Sequence, residues 1–173
     1  MTQSLHPAAQ KGFSLGAELY QQVRPSYPQE IAFWLQDRLK IDETSTVVDL
    51  GSGTGKFLPY LNQTQANVIA VEPVAAMLQQ LQQAHPQVES VQAFSHQLPF
   101  SSASIDAVIC AQSFHWFANI ETLTEIHRVL KPAGQLGLVW NQRDTNVNWV
   151  KALADEIAPL EGDTPRYHSE QWK

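Results

Sequence analysis

An apolar run that ends in alternating glycines constrains this chain most. Val47, Val48, Asp49 and Leu50 lead straight into Gly51, Ser52, Gly53, Thr54 and Gly55, followed by Lys56 and Phe57. A short run of aliphatic, β-branched residues fits a strand covered on both faces. Glycine adopts positive φ and leaves room for another group against the backbone. A helix starting after Gly55 would aim its unpaired N–H groups at the same loop. The stretch therefore predicts a buried strand, a tight turn and a helix, with the turn facing a ligand. The competing reading is a glycine-rich turn with no ligand. Three alternating glycines weaken a fold that has no use for the space, which favours the first reading.

Spacing separates the nucleotide-binding loops of this kind. A phosphate-cradling loop needs four residues between its first glycine and a Gly-Lys pair, then Ser or Thr. Here Phe57 follows Gly55 and Lys56, and no glycine has the required spacing. A dinucleotide fingerprint needs Gly-x-Gly-x-x-Gly. Gly51 and Gly53 fit, but the third position is Lys56. The pattern present is Asp-x-Gly-x-Gly-x-Gly, from Asp49 to Gly55, and it resembles the first motif of class I S-adenosylmethionine-dependent methyltransferases.

At 173 residues the chain is long enough for one well-buried domain. No apolar run reaches the length of a membrane span, and Met1 to Pro7 lack a basic-then-apolar leader pattern. One cysteine, Cys110, rules out an internal disulfide framework and reads as a core thiol, with a cytoplasmic setting as the default. A net charge of −6 offers no basic footprint for nucleic acid.

Taken in order, the chain alternates elements. A weak helical spacing covers 13–23 and stops before Pro25. Ser26, Pro28 and Gln29 predict a capped helix start, with the helix running to about Lys40. Strands are expected at 46–50, 67–71, 88–94, 104–110 and 135–140. Helices are expected at about 56–62, 74–84, 120–130 and 148–158, with a turn at 131–134. The fold class is α/β, a doubly wound, mostly parallel, Rossmann-like sheet of about five strands with flanking helices. The whole chain, 1–173, reads as a single domain: a helical cap at 1–42, a core at 43–160 and a tail at 161–173. Ligands of such sheets sit at the carboxyl ends of the strands, where the winding reverses. That places the glycine loop opposite the loop from Gln112 to Phe117.

Glu72 closes the second strand about twenty residues after the glycine loop, where an acid can accept from both hydroxyls of a ribose. The alternative is a carboxylate favoured at a helix start, but with the glycine loop in place the ribose role is preferred. Asp49, under the loop, can hold loop N–H groups or face the ammonium of an amino-acid moiety. A carboxylate there would repel a pyrophosphate, which argues for a cationic amino-acid cofactor over NAD. His115 follows the fourth strand at the crevice and is the candidate general base; a histidine that packs or orients without taking a proton is the equal alternative. No histidines show metal-ligand spacing.

Further motifs extend the resemblance over most of the chain. Glu72 and Pro73 are similar to the second methyltransferase motif, Leu98 to Phe100 to the loop after strand three, Ile105 to Val108 to the fourth strand, and Arg128 to Gly134 to the turn before the fifth. Tyr20, Arg24 to Pro28, Phe114 to Phe117 and Val139 to Asn141 resemble the small-molecule, trans-aconitate-methyltransferase-like branch. The resemblance implies S-adenosylmethionine as cofactor. It implies a binding set of Asp49, Gly51, Ser52, Gly53, Thr54, Gly55, Glu72, Pro73, Met77, His96, Gln97, Leu98 and Gln112, joined by Tyr20 and Arg24. The family often has an acid near the adenine amine, where this chain has His96 and Gln97; the Gln97 carbonyl can accept there instead. Met77 and Leu98 are expected to pack the adenine. The aromatic residues Tyr20, Tyr27, Phe114 and Trp116 can wall a sulfonium, while Trp140 reads as ordinary core.

The resemblance also implies seven strands. This chain reads as five, hence as a fragment truncated at the C-terminus or a naturally short product. An uncovered fifth strand would allow a homodimer through that edge. The expected activity is direct methyl displacement onto a small-molecule acceptor. A non-catalytic S-adenosylmethionine-binding domain and an NAD-dependent oxidoreductase are the alternatives.

Overall fold

The computed structural model describes residues 25–162, 164, 165 and 167. The expected helix over 13–23, with Tyr20 and Arg24, lies outside them, as does most of the tail.

Five parallel strands form one sheet in the order β3-β2-β1-β4-β5, with β1 at Thr46–Leu50, β2 at Asn67–Val71, β3 at Glu89–Val91, β4 at Ile105–Ala111 and β5 at Leu130–Val139. Among the described residues, five α-helices accompany them: α1 (Ile31–Leu39), α2 (Leu58–Asn62), α3 (Ala75–Ala84), α4 (Ile120–Val129) and α5 (Asn148–Glu161). The winding reverses between β1 and β4, so the loops after these strands face one crevice.

Alternation along β1 sends neighbouring residues to opposite faces. Val47 packs with Leu35, Leu58, Leu61 and Leu81, from α1, α2 and α3. Val48 and Leu50 pack with Val108, Cys110, Ile126 and Val129, on the face that α4 covers. Burial on both faces explains why β1 and β2 read as continuous apolar runs. By the same alternation Asp49 shares the face of Val47.

β1 and β2 occupy the expected residues, while other boundaries differ for physical reasons. β3 was expected over 88–94 but ends at Val91. Among the described residues it is an edge strand paired with β2 alone, and its last partner there, Val71, is the last residue of β2. α1 starts at Ile31 after Glu30, and no side chain caps it, so Ser26 and Gln29 do not form the expected capping box. Tyr27 is committed elsewhere: its N–H donates to Tyr60 Oη at 3.0 Å and its carbonyl accepts from that hydroxyl at 2.7 Å. The expected turn at 131–134 is a bulge inside β5, where Ile105 pairs with Leu130 but Ala107 already pairs with Gln135. Asp106 pins this corner, accepting from Thr46 N–H and from Lys131 Nζ, each at 2.8 Å.

Candidate functional site

The glycine loop is held to the neighbouring strand by its first two amides. Gly51 and Ser52 N–H both donate to Val71 O, at 2.8 and 3.1 Å. Gly53 N–H donates to Glu72 Oε2 at 2.8 Å, and Val74 N–H donates to Glu72 Oε1 at 2.8 Å. Glu72 thus fastens the loop after β1 to the start of α3. Each of its oxygens keeps a second lone pair for another donor.

All three glycines have positive φ, yet each is needed for a different reason. A Cβ on Gly51 would lie 2.7 Å from Ser113 Cβ, so this position admits the loop after β4. Ser113 uses the approach, donating from Oγ to Leu50 O at 2.7 Å. A Cβ on Gly55 would lie 2.7 Å from the His85 ring at the end of α3. Of the three, Gly53 faces open space, with nothing among the described residues within 4 Å of its would-be Cβ. Room for a ligand comes at Gly53; the other two make room for the protein itself.

The crevice holds a cavity of about 320 Å³. Of the expected site residues, Asp49, Gly51, Ser52, Gly53, Thr54, Glu72, Pro73, Met77 and Gln112 line it together. Gly55 does not, because it packs on His85. His96 lines a smaller cavity of about 70 Å³, which shares Gly51, Pro73, Trp116 and Phe117 with the larger one. Gln97 is exposed and on neither wall. Leu98 packs in the core beneath α4, and its N–H donates to Glu125 Oε1 at 2.7 Å. His115 is not on the cavity wall, though Trp116 beside it is. Trp140 Nε1–H donates to His115 Nδ1 at 3.1 Å, so Trp140 has a polar task as well as its expected packing.

The floor carries two buried acids. Asp49 is 1% exposed, and neither carboxylate oxygen has a hydrogen-bond partner among the described residues. Burial, and secondarily the charge of Glu72, push its carboxyl up to about 7. Burial likewise pushes Glu72 up to about 7, against the lowering effect of the Val74 and Gly53 amides. A buried carboxylate without donors is costly unless a ligand brings a donor or a positive charge. The chemistry of the floor fits an ammonium beside Asp49 and hydroxyl donors beside Glu72, as the methionine and ribose parts of S-adenosylmethionine provide. A pyrophosphate would meet two carboxylates instead.

The wall also holds residues absent from the expected set: Lys56, Phe57, Ser113, Asn141, Gln142 and Arg143 among them. Gln112 sits at φ +57, with its N–H donating to Val139 O at 2.8 Å and Nε2 donating to Asn141 O at 3.2 Å. A left-handed glutamine at the mouth of the crevice is held by these bonds to the end of β5. Among the described residues no cluster of three or more potential metal ligands occurs, and no helix is long and apolar enough to cross a membrane.

Comparison with known proteins agrees with this architecture. The chain is 41% identical over 163 residues to an uncharacterized methyltransferase-like protein of Schizosaccharomyces pombe, covering 94% of this chain and 64% of that one. It is 33% identical over 138 residues to the trans-aconitate 2-methyltransferase of Azoarcus, covering 71% and 54% of the two chains. The chain thus spans roughly three fifths of the length of these relatives. A SAM-dependent methyltransferase from Aquifex aeolicus shares the fold with a TM-score of 0.62 at 22% identity, over 74% of this chain and 76% of that one. The methyltransferase domain family matches residues 48–138, from within β1 into β5 and across the whole glycine loop. The chain belongs to that family, whose cofactor is S-adenosylmethionine.

Proposed function

We propose that this domain transfers a methyl group from S-adenosylmethionine to a small-molecule acceptor. One observation carries the reading: a buried Asp49 carboxylate with no donor among the described residues, on the floor of a cavity opened by Gly53. The cofactor supplies a methyl already activated on a cationic sulfur. The chain's own residues bind and align. Glu72 accepts from the ribose while its backbone bonds keep it in place. Asp49 accepts from the ammonium. Met77 and Pro73 give the apolar wall beside them, and Tyr27, Trp116 and Phe117 present rings to the space where charge is carried. Alignment and exclusion of water are then the main contributions to rate.

The acceptor enters on the side of Gln112, Asn141, Gln142 and Arg143. Arg143 and Lys56 put positive charge on a wall whose floor is acidic. That distribution favours an acceptor bearing a carboxylate, in keeping with the trans-aconitate methyltransferase among the relatives. The charge of −6 over the whole chain favours a small acceptor over a nucleic acid. Incubation with methyl-labelled S-adenosylmethionine and a panel of small carboxylic acids and neutral analogues tests the reading. Label in an acid ester or another methylated acid, with equimolar S-adenosylhomocysteine, is expected. Cofactor binding without turnover of any acceptor would leave a binding domain and overturn the enzymatic reading.

A further inference from the structure

We propose that Trp140 is a positioning residue. It holds the His115 ring as a neutral hydrogen-bond acceptor at Nδ1 and so braces the wall where the β4 and β5 loops meet. Trp140 directly follows β5, and His115 lies in the short 3-10 turn Phe114–Trp116 after β4. Their side chains meet with Trp140 Nε1 and His115 Nδ1 3.1 Å apart. An indole N–H only donates. The facing Nδ1 must therefore offer its lone pair, and the neutral ring carries its proton on Nε2. Protonating the ring would set an N–H at Nδ1 against the indole N–H and break the contact. While the brace is intact, one ring nitrogen is occupied by Trp140 and the other already bears a proton. The ring has no lone pair left with which to remove a proton from an acceptor.

The brace has something to hold. The His115 ring lies against that of Trp116, with centroids 5.3 Å apart and planes 39° apart, and Trp116 lines both cavities. The same two loops are tied by Gln112 N–H to Val139 O and by Gln112 Nε2 to Asn141 O, which keep Gln112 in its left-handed conformation. The Trp140–His115 bond is a further tie at this junction, and its strength depends on a protonation state. A base would need a free lone pair on the cavity side. A brace needs a fixed tautomer behind Trp116, and the second arrangement is the one present. The tautomer stands independently of the reaction proposed above, whereas the conclusion that His115 is not the base rests on that reading.

Nitrogen-15 NMR of the ring, recorded on the full chain near neutral pH without acceptor, tests the brace. The His115 signals are assigned by their disappearance in His115→Gln. The expected spectrum has a pyridine-type Nδ1 and a pyrrole-type Nε2. In Trp140→Phe, which keeps an aromatic ring but loses the N–H, the two-tautomer mixture of an unconstrained histidine is expected. Should that variant fail to fold, the Trp140 indole proton reports from the other side. His115→Ala is expected to move it upfield and speed its exchange with water about tenfold, the loss of one hydrogen bond. His115→Gln, whose carbonyl can still accept, is expected to retain much of the protection. An Nδ1-protonated or fully charged His115 in the wild-type protein would overturn the proposal. So would an indole proton indifferent to His115→Ala.

Discussion

The Gly53 amide donates to the Glu72 carboxylate at 2.8 Å, so the acid that closes β2 also fastens the loop that closes β1. The other oxygen of the same carboxylate accepts from Val74 at the start of α3. One side chain thus sets the relative position of two strand ends before any ligand arrives, and it lines the cavity.

Glu72→Gln tests that dual task. An amide at 72 has a single acceptor oxygen, so its NH2 must face one of the two backbone donors. Calorimetry is expected to show S-adenosylhomocysteine binding weakened roughly 10- to 100-fold, the cost of a buried donor left unmatched. Affinity within twofold of wild type would mean Glu72 does not hold the ligand side of the loop.

Asp49 links binding, stability and pH. Its carboxyl is held at about 7 in the fold against 3.8 in an exposed chain. Glu72 is raised in the same direction, from 4.5 to about 7. Groups raised in this way add stability that is complete below the exposed-chain value, fades as pH climbs between the two values, and is gone above about 7. Asp49→Asn removes the buried charge. The melting temperature of the variant minus that of the wild type is therefore expected to be more positive at pH 8 than at pH 5, while S-adenosylhomocysteine affinity falls at pH 8. A melting difference that does not change with pH would contradict the burial of a titrating Asp49.

Gly55 and His85 form a pair that can be cycled. Gly55→Ala adds a left-handed alanine, costing about 1–2 kcal/mol, and also a collision with the His85 ring. Urea unfolding is expected to show a larger loss than the conformational cost alone. His85→Ala in the same chain is expected to return the collision part and no more. Additive losses in the double variant would mean that the ring does not occupy that space.

Arg143→Ala addresses the acceptor side. It is expected to raise KM for acidic acceptors about tenfold or more and to leave binding of S-adenosylhomocysteine within twofold, since the proposed cofactor contacts are made by Asp49, Glu72 and the glycine loop rather than by Arg143. An equal loss for acidic and neutral acceptors would remove Arg143 as the group that selects charge.

Much of the architecture is legible in local pattern. β1 and β2 occupy their expected residues because they are buried on both faces, and an apolar run bounded by polar residues then has definite ends. β3 is shorter than its pattern because an edge strand lasts only as long as its partner, and β2 stops at Val71. Glu72, Asp49 and Gly53 are legible because strand ends and glycine spacing place them. The separate duties of Gly51 and Gly55 are not, since each depends on a side chain arriving from far along the chain, Ser113 or His85. Arg143 sits in a polar loop with no period to mark it, and only the packing of the β5 end brings it to the wall. The Trp140–His115 bond joins residues 25 apart on two loops, and no local signal reveals it.

Calorimetric titration with S-adenosylhomocysteine and with NADH, in two buffers of different ionisation enthalpy at pH 7, tests the central claim most directly. An ammonium placed beside Asp49 lowers the proton affinity of both buried acids, so binding of S-adenosylhomocysteine with release of protons from the protein is expected, and NADH is expected not to bind. Binding of NADH alone, or binding of S-adenosylhomocysteine with no proton released, would contradict a floor of buried carboxylates built for a cationic amino-acid cofactor.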